Sequence, residues 1–502
     1  MKQYKLLSIA VILGVGGLFA ACSDWLDYSP KDKQTYEQQF GTKAGFHNAV
    51  NGVYNNISSS SLYGYNMSYG PLDFMGLLYN IPSSSTSRIE FKTATWTGSY
   101  ASSTFSSIWS TAYSTILNAN LVLQAVDEYK GTVLTETECN LIKGEMLGVR
   151  AFLHFDLLRL FGPIYTSNPS KLSIPYNTGV EATRHDRLPA NEVVENYLLT
   201  DLEASEALLK EVDPVITEGR LSSDGGDSGN WERYRQLRMN YYAVVLVKAR
   251  LYLWMGEYEK ALAEAKKITD NDKVKELFPF VEPSKLLANS INPDRIFSTE
   301  CLFGFYDSDM KDIFTNYFSG TLDVSALLQP RKGYIDILFP SVGDYRRQSQ
   351  WTGSSASSGS EYDFIKYKSF TTSETNPDFW ATFYGLMRVS EAYYIASESL
   401  LMQNDLAGAC DYLNVVLQAR GLTALSASSV NQNTLLKEIK YEYLREMRGE
   451  GQIYFMLKRF NQKFGMYTGG DTKMNGAEEP YFDSSPSPAT RYSVPIPSDE
   501  TN

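Results

Sequence analysis

The chain has 502 residues, 43% hydrophobic and 13% aromatic, with a formal net charge of −12. That is too long for one small domain and rich enough in apolar residues for a sizeable core. The negative balance, with no long basic block, argues against nucleic acid, whose phosphates need clustered Lys and Arg. The histidines, His47, His154 and His185, stand at no metal-ligand spacing, so no metal centre is expected.

The first residues read as a targeting segment. Lys2 and Lys5 precede an apolar run from Leu6 to Ala21, too short and glycine-rich for a membrane span. Leu18-Phe19-Ala20-Ala21-Cys22 has the form of a bacterial lipoprotein box, with Cys22 as the lipidated residue. An ordinary secretory leader with an incidental Cys22 is the plainer alternative. The mature protein is therefore expected to be anchored to a membrane and not to span it. Cys139, Cys301 and Cys410 form no disulfide or zinc framework, and Cys139 and Cys410 read as packed thiols.

Residues 22–34 read as a tether, and 35–502 as one domain. Tyr36 to Ile57 is a first helix by apolar spacing. Residues 58–107 are rich in Ser, Tyr and Gly. They are too aromatic for a disordered linker and read as an ordered, loop-rich insertion. Helical periodicity returns from Ile108 to Tyr129. The strongest stretch is 140–163, apolar over two neighbouring stripes and closed by Gly162-Pro163. It carries Glu145 and Arg150, and Arg150 lies within an apolar stripe, so a buried partner is required. Residues 191–209 are amphipathic. Residues 213–231 end in a glycine-rich loop whose Asp224, Asp227 and Asn230 lack EF-hand spacing and read as solvated.

Residues 239–268 form two helices about Gly256, and Gly256, Tyr258 and Ala261 reproduce the G-x-Y-x-x-A signature of a tetratricopeptide hairpin. A weaker hairpin spans 386–420, with Asn404-Asp405 as the turn and Ala407 and Ala409 as packing residues. Residues 270–380 read as mixed and loop-rich with a few short strands. Residues 434–460 read as helical again, and 461–502 as irregular.

Taken together these features resemble the RagB/SusD family of Bacteroidetes outer-membrane lipoproteins, nearly end to end. Cys22-Ser-Asp-Trp-Leu26-Asp27 with Pro30 is similar to the family's opening. Trp109, Tyr113, Ile116 and Asn120 match its early helix; Gly144-Glu145, Arg150-Ala151, Leu157, Phe161 and Gly162 match the next. Arg250 to Ala261 matches its first clear helical hairpin. Arg388, Glu391-Ala392-Tyr393-Tyr394 and Glu398 match a later helix. Glu446-Met447, Glu450-Gly451, Leu457 and Arg459 resemble its "EL--EG" segment, and Pro495-Ile496-Pro497 with Glu500 its close. Tyr443, Ile453 and Met456 depart from the pattern, which prefers Arg, Arg and Asp there. The resemblance implies a mainly α body of tetratricopeptide-like hairpins with a loop-rich mixed region packed on it. It also implies a cell-surface lipoprotein that covers a TonB-dependent outer-membrane transporter, capturing glycans or, in one branch, peptides.

The residues themselves favour binding over catalysis. No G-x-S-x-G, P-loop or H-E-x-x-H is present, and no cofactor signature. Glu145, Arg150, Arg250, Arg388 and Glu398 read as structural ion pairs between helices. Sugar recognition needs flat aromatic faces beside amides and carboxylates. The first loop region offers Tyr63, Tyr65, Asn66, Tyr69, Asp73 and Trp96, and the second Tyr317, Tyr345 and Trp351. The function expected is delivery of oligo- or polysaccharide to the transporter. A peptide-binding lid and a structural subunit with little affinity of its own are the alternatives.

Overall fold

The computed structural model describes residues 35–76, 78–181, 183, 185–220, 230–287, 293–330, 333–354, 362–368, 381–464, 482–486 and 489–498. Cys22 and the leader and tether up to 34, like Asp224 and Asp227, lie outside the described residues. The chain forms two compact units, Met1–Phe46 and His47–Asn502. In the first, a capping box between Thr35 and Gln38 starts α1 (Tyr36–Phe40). Gly41 ends it, and α2 (Lys43–Ile57) starts afresh, so the helix expected over 36–57 is two.

The second unit is a run of helices, each packed on the next. α3 (Ser99–Glu128) lies on α4 (Glu136–Phe161), α4 on α5 (Leu199–Val212) and α5 on α6 (Tyr241–Met255). Then α6 lies on α7 (Tyr258–Thr269), α7 on α8 (Val389–Met402), and α8 on α9 (Leu406–Ala419) and α10 (Gln432–Glu446). The fold is mainly α, built of tetratricopeptide-like hairpins. α6–α7 turns at Gly256, whose φ of +79° a side chain would strain. α8–α9 turns at Asn404, φ +65°, a residue that tolerates the left-handed region. Ala261 and Ala409 are buried in the two crooks, whereas Ala407 faces solvent and does not pack there.

α3 begins at Ser99, nine residues before the periodicity suggests. Its Ser-rich first turns hide one apolar stripe, Ala101 and Phe105, both buried. Glu90 accepts from the Ala101 amide at 2.7 Å, meeting a donor the helix itself cannot. α4 is buried nearly all round, and Thr135 with Glu138 caps it. The helix expected over 434–460 divides into α10 and α11 (Ile453–Arg459). Gly449 and Gly451, at φ +83° and +71°, make the turn between them. Among the strands, β1 (Cys301–Tyr306) pairs antiparallel with β4 (Phe383–Arg388), and β2 (Trp351–Gly353) with β3 (Tyr362–Phe364). Cys139, Cys301 and Cys410 are buried free thiols.

Buried charges cross-link these layers. Arg150 on α4 donates to both oxygens of Asp201 on α5 at 2.7 Å each, and to Asn120 Oδ1 on α3 at 2.9 Å. Glu145 accepts from Arg235 at 2.5 Å and from the Tyr54 hydroxyl at 3.0 Å. Arg250 on α6 grips Glu391 on α8, and Glu398 on α8 is gripped by Arg459 on α11. The largest cluster centres on Glu446 of α10. It accepts from Arg346 and Arg420 at 3.0 Å and from Arg388. Arg420 reaches on to Glu300, Arg388 to Glu450, and Arg346 to Asp344 and Glu442. Three guanidinium groups hold the Glu446 carboxyl well below the usual carboxylate range, against the cost of burial. The departures from the family pattern pack as apolar residues here: Tyr443, Ile453 and Met456 are all buried.

Candidate functional site

The two loop-rich regions meet at one aromatic face. In the first, residues 58–70 wind through successive tight turns that leave Tyr65 and Asn66 half-buried. In the second, a helical turn at Met310–Ile313 widens into a π-helical turn, Phe314–Phe318, which presents Tyr317. Such widened turns are frequent at functional sites. Tyr65 and Tyr317 stack with ring centroids 5.1 Å apart and planes 24° apart. Both keep part of their surface in solvent.

Beneath them lies a buried deck of rings. Tyr69 sits 5.4 Å from both Tyr65 and Tyr317 and continues to Tyr367 at 5.8 Å and Tyr384 at 6.3 Å. Tyr367 and Tyr384 stack at 5.3 Å, and both hydroxyls donate to the Gly449 carbonyl. Asp73 pins the same turn from the other side. Its Oδ2 accepts from the Gly449 amide at 3.0 Å and from the Tyr79 hydroxyl at 2.9 Å. Burial pushes the Asp73 carboxyl up to about 7, against the pull of Arg448. The glycine turn between α10 and α11 is thus the pedestal of the deck.

Arg88 and Tyr100 complete the face. The Arg88 guanidinium donates to the Ser325 and Ala326 carbonyls at 3.2 and 2.7 Å, tying the two loop regions together. Its charge draws the Tyr65 and Tyr317 hydroxyls down, while burial raises both more strongly. Tyr100 lies near enough to Tyr65 to raise its hydroxyl further. Sequence reasoning missed both residues. Arg88 does carry a signal, as the only Lys or Arg between Lys43 and Lys92. Tyr100, within Gly-Ser-Tyr-Ala-Ser, carries none.

The structure puts five of the nine candidate ligand residues in the core. Tyr63 is 2% exposed; it donates to Asp156 at 2.7 Å and stacks on Phe152 at 5.0 Å. Tyr69 and Asp73 belong to the deck and its pedestal. Trp96 is buried against Phe105, and its indole donates to the Thr490 carbonyl at 2.6 Å. Trp351, 6% exposed, packs 4.8 Å from Phe364 and 6.4 Å from Phe339. Tyr345 is half-buried against the apolar cluster of Val281, Leu286 and Phe297, so it too serves as an anchor. Asp73 is buried as a hydrogen-bond acceptor for Tyr79 and the Gly449 amide, and the five aromatics share another reason. A loop region this long needs its own apolar packing, and its aromatics supply it. Of the nine, Tyr65 and Tyr317 come together at the surface, while Asn66, next to Tyr65 in the chain, is half-buried and donates its amide to the Ser61 carbonyl at 3.2 Å.

Among the described residues of the second unit, two cavities elsewhere invite comparison. One of about 630 Å³ runs along α3 and α4 beside residues 178–181. Arg150 borders it but is already committed to Asp201 and Asn120, and among the described residues no Tyr, Trp or Phe lines it. The other, of about 340 Å³, lies where α2 ends. The Tyr65–Tyr317 face differs from both in offering stacked aromatic surface beside a guanidinium, the combination that suits a sugar ring and its hydroxyls.

Comparison with known proteins gives one consistent picture. Residues 341–502 match the family described as the SusD family, and residues 24–218 one described as starch-binding associating with outer membrane. SusD-like protein P2 of Formosa agariphila is 23% identical over 545 residues, covering 100% of this chain and 97% of that protein. A SusD superfamily protein of Bacteroides thetaiotaomicron superposes with a TM-score of 0.65 at 20% identity, over 92% of this chain and 97% of the other. Surface glycan-binding protein A of the same species superposes with a TM-score of 0.60 at 17% identity, over 84% and 90%.

Proposed function

The chain belongs to the SusD/RagB family, and on that footing we propose that it captures oligo- or polysaccharide at the Tyr65–Tyr317 face and delivers it to a partner TonB-dependent outer-membrane transporter. The observation that carries this reading is the stacked, half-exposed pair, drawn from two distant loop regions onto a rigid deck. The description of the second matching family and the name of the glycan-binding relative point the same way. Cys22, preceded by small residues, is the proposed point of lipid attachment, with residues 22–34 as the tether and the domain facing the cell exterior. Among the described residues no helix is long and apolar enough to cross a membrane, which fits an anchored protein.

The protein acts by binding and not by catalysis. Its most deeply buried carboxylates, such as Glu446, are spent on arginines. A sugar chain laid across two tyrosines makes few desolvated polar contacts, so single-site affinity is weak and avidity along a polymer compensates. Isothermal titration against glycan and peptide panels tests the reading. Glycan heat that disappears in Tyr317→Ala is the expected result. Heat only with peptides favours a peptide-binding lid, and heat with neither, alongside stable co-purification with a barrel protein, favours a structural subunit.

A further inference from the structure

The ring deck does not end beneath Tyr65 and Tyr317. It continues from Tyr384 to Phe305, stacked at 5.0 Å, and Phe305 lines the cavity of about 340 Å³. The cavity's other walls are the end of α2, with Asn51 and Asn55, and the segment Arg233–Arg238. Three features mark it as a place prepared for a ligand.

First, Tyr306 is 58% exposed at the cavity's edge, while the other five residues of β1 are buried. Second, the Arg238 guanidinium is held in place without a carboxylate among the described residues. It lies 5.0 Å from the Tyr54 ring and 4.2 Å from the Trp231 ring, and Trp231 is backed by His47 at 3.8 Å. Nη2 donates to Asn51 Oδ1 at 2.7 Å, and Nη1, itself buried, has no partner among the described residues. Glu145, whose charge reaches Arg238, is already taken by Arg235 and Tyr54. This sets Arg238 apart from Arg150, Arg235 and Arg250, each of which has a carboxylate. A positioned cation with an unmet donor favours an anion. Third, Tyr234 on the cavity wall has φ +53°, a left-handed conformation that a tyrosine adopts only when its surroundings impose it.

We propose that this cavity is a second sugar subsite, selective for a residue that carries an oxyanion, either a carboxylate or a sulfate. Arg238 would take the oxyanion, Tyr306 the face of the ring, and Asn51 and Asn55 the hydroxyls. The inference rests on the reading of the protein as a glycan binder and adds the class of glycan.

The test is calorimetry on the full chain in detergent with glucuronate and glucose 6-sulfate, and with glucose and inorganic sulfate as controls. Both acidic sugars are expected to bind at least tenfold tighter than either control. Tyr306→Ala should weaken them at least tenfold, Arg238→Gln should remove the preference for acid, and Tyr317→Ala should leave it in place. Tyr306 projects into solvent, so its variant stays informative if Arg238→Gln fails to fold. The proposal is overturned if glucuronate binds no tighter than glucose or if Tyr306→Ala changes nothing. Sulfate binding as tightly as glucose 6-sulfate also overturns it, since the patch is then only a general anion site. Neutral glycan binding that depends on Tyr317, with no acidic preference, would sink this inference alone. Acidic preference together with neutral oligosaccharide binding that Tyr317→Ala leaves unchanged would sink the main reading instead.

Discussion

Around Glu446, three arginines meet one carboxylate and each reaches a further one, so the donors that cross between elements are answered inside the protein. Around Tyr65 and Tyr317, the rings are supported on one side by Tyr69 and left open on the other. The two regions are joined, because the Gly449 turn that follows Glu446 also receives the hydroxyls of the deck. The difference separates scaffold from site. A group whose bonding is complete holds the fold, and a group fixed on one face but open on the other can receive a ligand.

The comparison breaks most visibly at its closed end. Glu446→Ala leaves three buried guanidinium groups with one carboxylate too few. A loss of about 3–5 kcal/mol is expected, the range for breaking a buried pair, read as a fall in the midpoint of chemical unfolding. A midpoint within experimental error of the parent would show that the cluster does not hold the body. Trp351→Ala comes next, at about 3 kcal/mol or slightly more, because a large buried ring is lost. Glycan binding by the fraction that remains folded should be unchanged. A selective loss of binding would return Trp351 to the site.

A pH measurement sharpens the link between the regions. Asp73 in the fold titrates near 7, raised from its ordinary 3.8 by burial. The folded protein therefore holds this proton more tightly than the unfolded chain does between about pH 4 and 7. The stability Asp73 contributes is full below that window and falls as pH rises through it. In Asp73→Asn, the amide oxygen can still accept from Gly449 and Tyr79, and the fall should be absent. Equal slopes of stability against pH in parent and variant would contradict the environment described for Asp73.

How much of this was legible beforehand depends on the kind of residue. The helical body was, because apolar periodicity over 140–163 and 239–268 needs no distant partner to be recognised. Arg150 declared itself as a charge inside an apolar stripe, although nothing local pointed to Asp201. The breaks at Gly41 and between Gly449 and Gly451 were missed, since the apolar spacing continues across them. The loops were the opaque part. Tyr63 and Tyr65 are two residues apart in the same Ser-rich run, yet one is core and one is surface. Their turns have no fixed period, so side-chain direction is set by tertiary contacts. That Tyr317 would stack on Tyr65, and Tyr345 on Phe297's cluster instead, could not be read from spacing at all.

The smallest stability effect belongs to the open face, and it bears the central claim. Tyr65→Ala with Tyr317→Ala removes half-exposed rings, so unfolding should shift by no more than about 1–2 kcal/mol, well below the cost of a fully buried ring. Calorimetry with the glycan that binds the parent chain should then show at least a tenfold loss of affinity in the folded double variant. Unchanged affinity in that variant would contradict the account, because the face that separates site from scaffold would then not be the site.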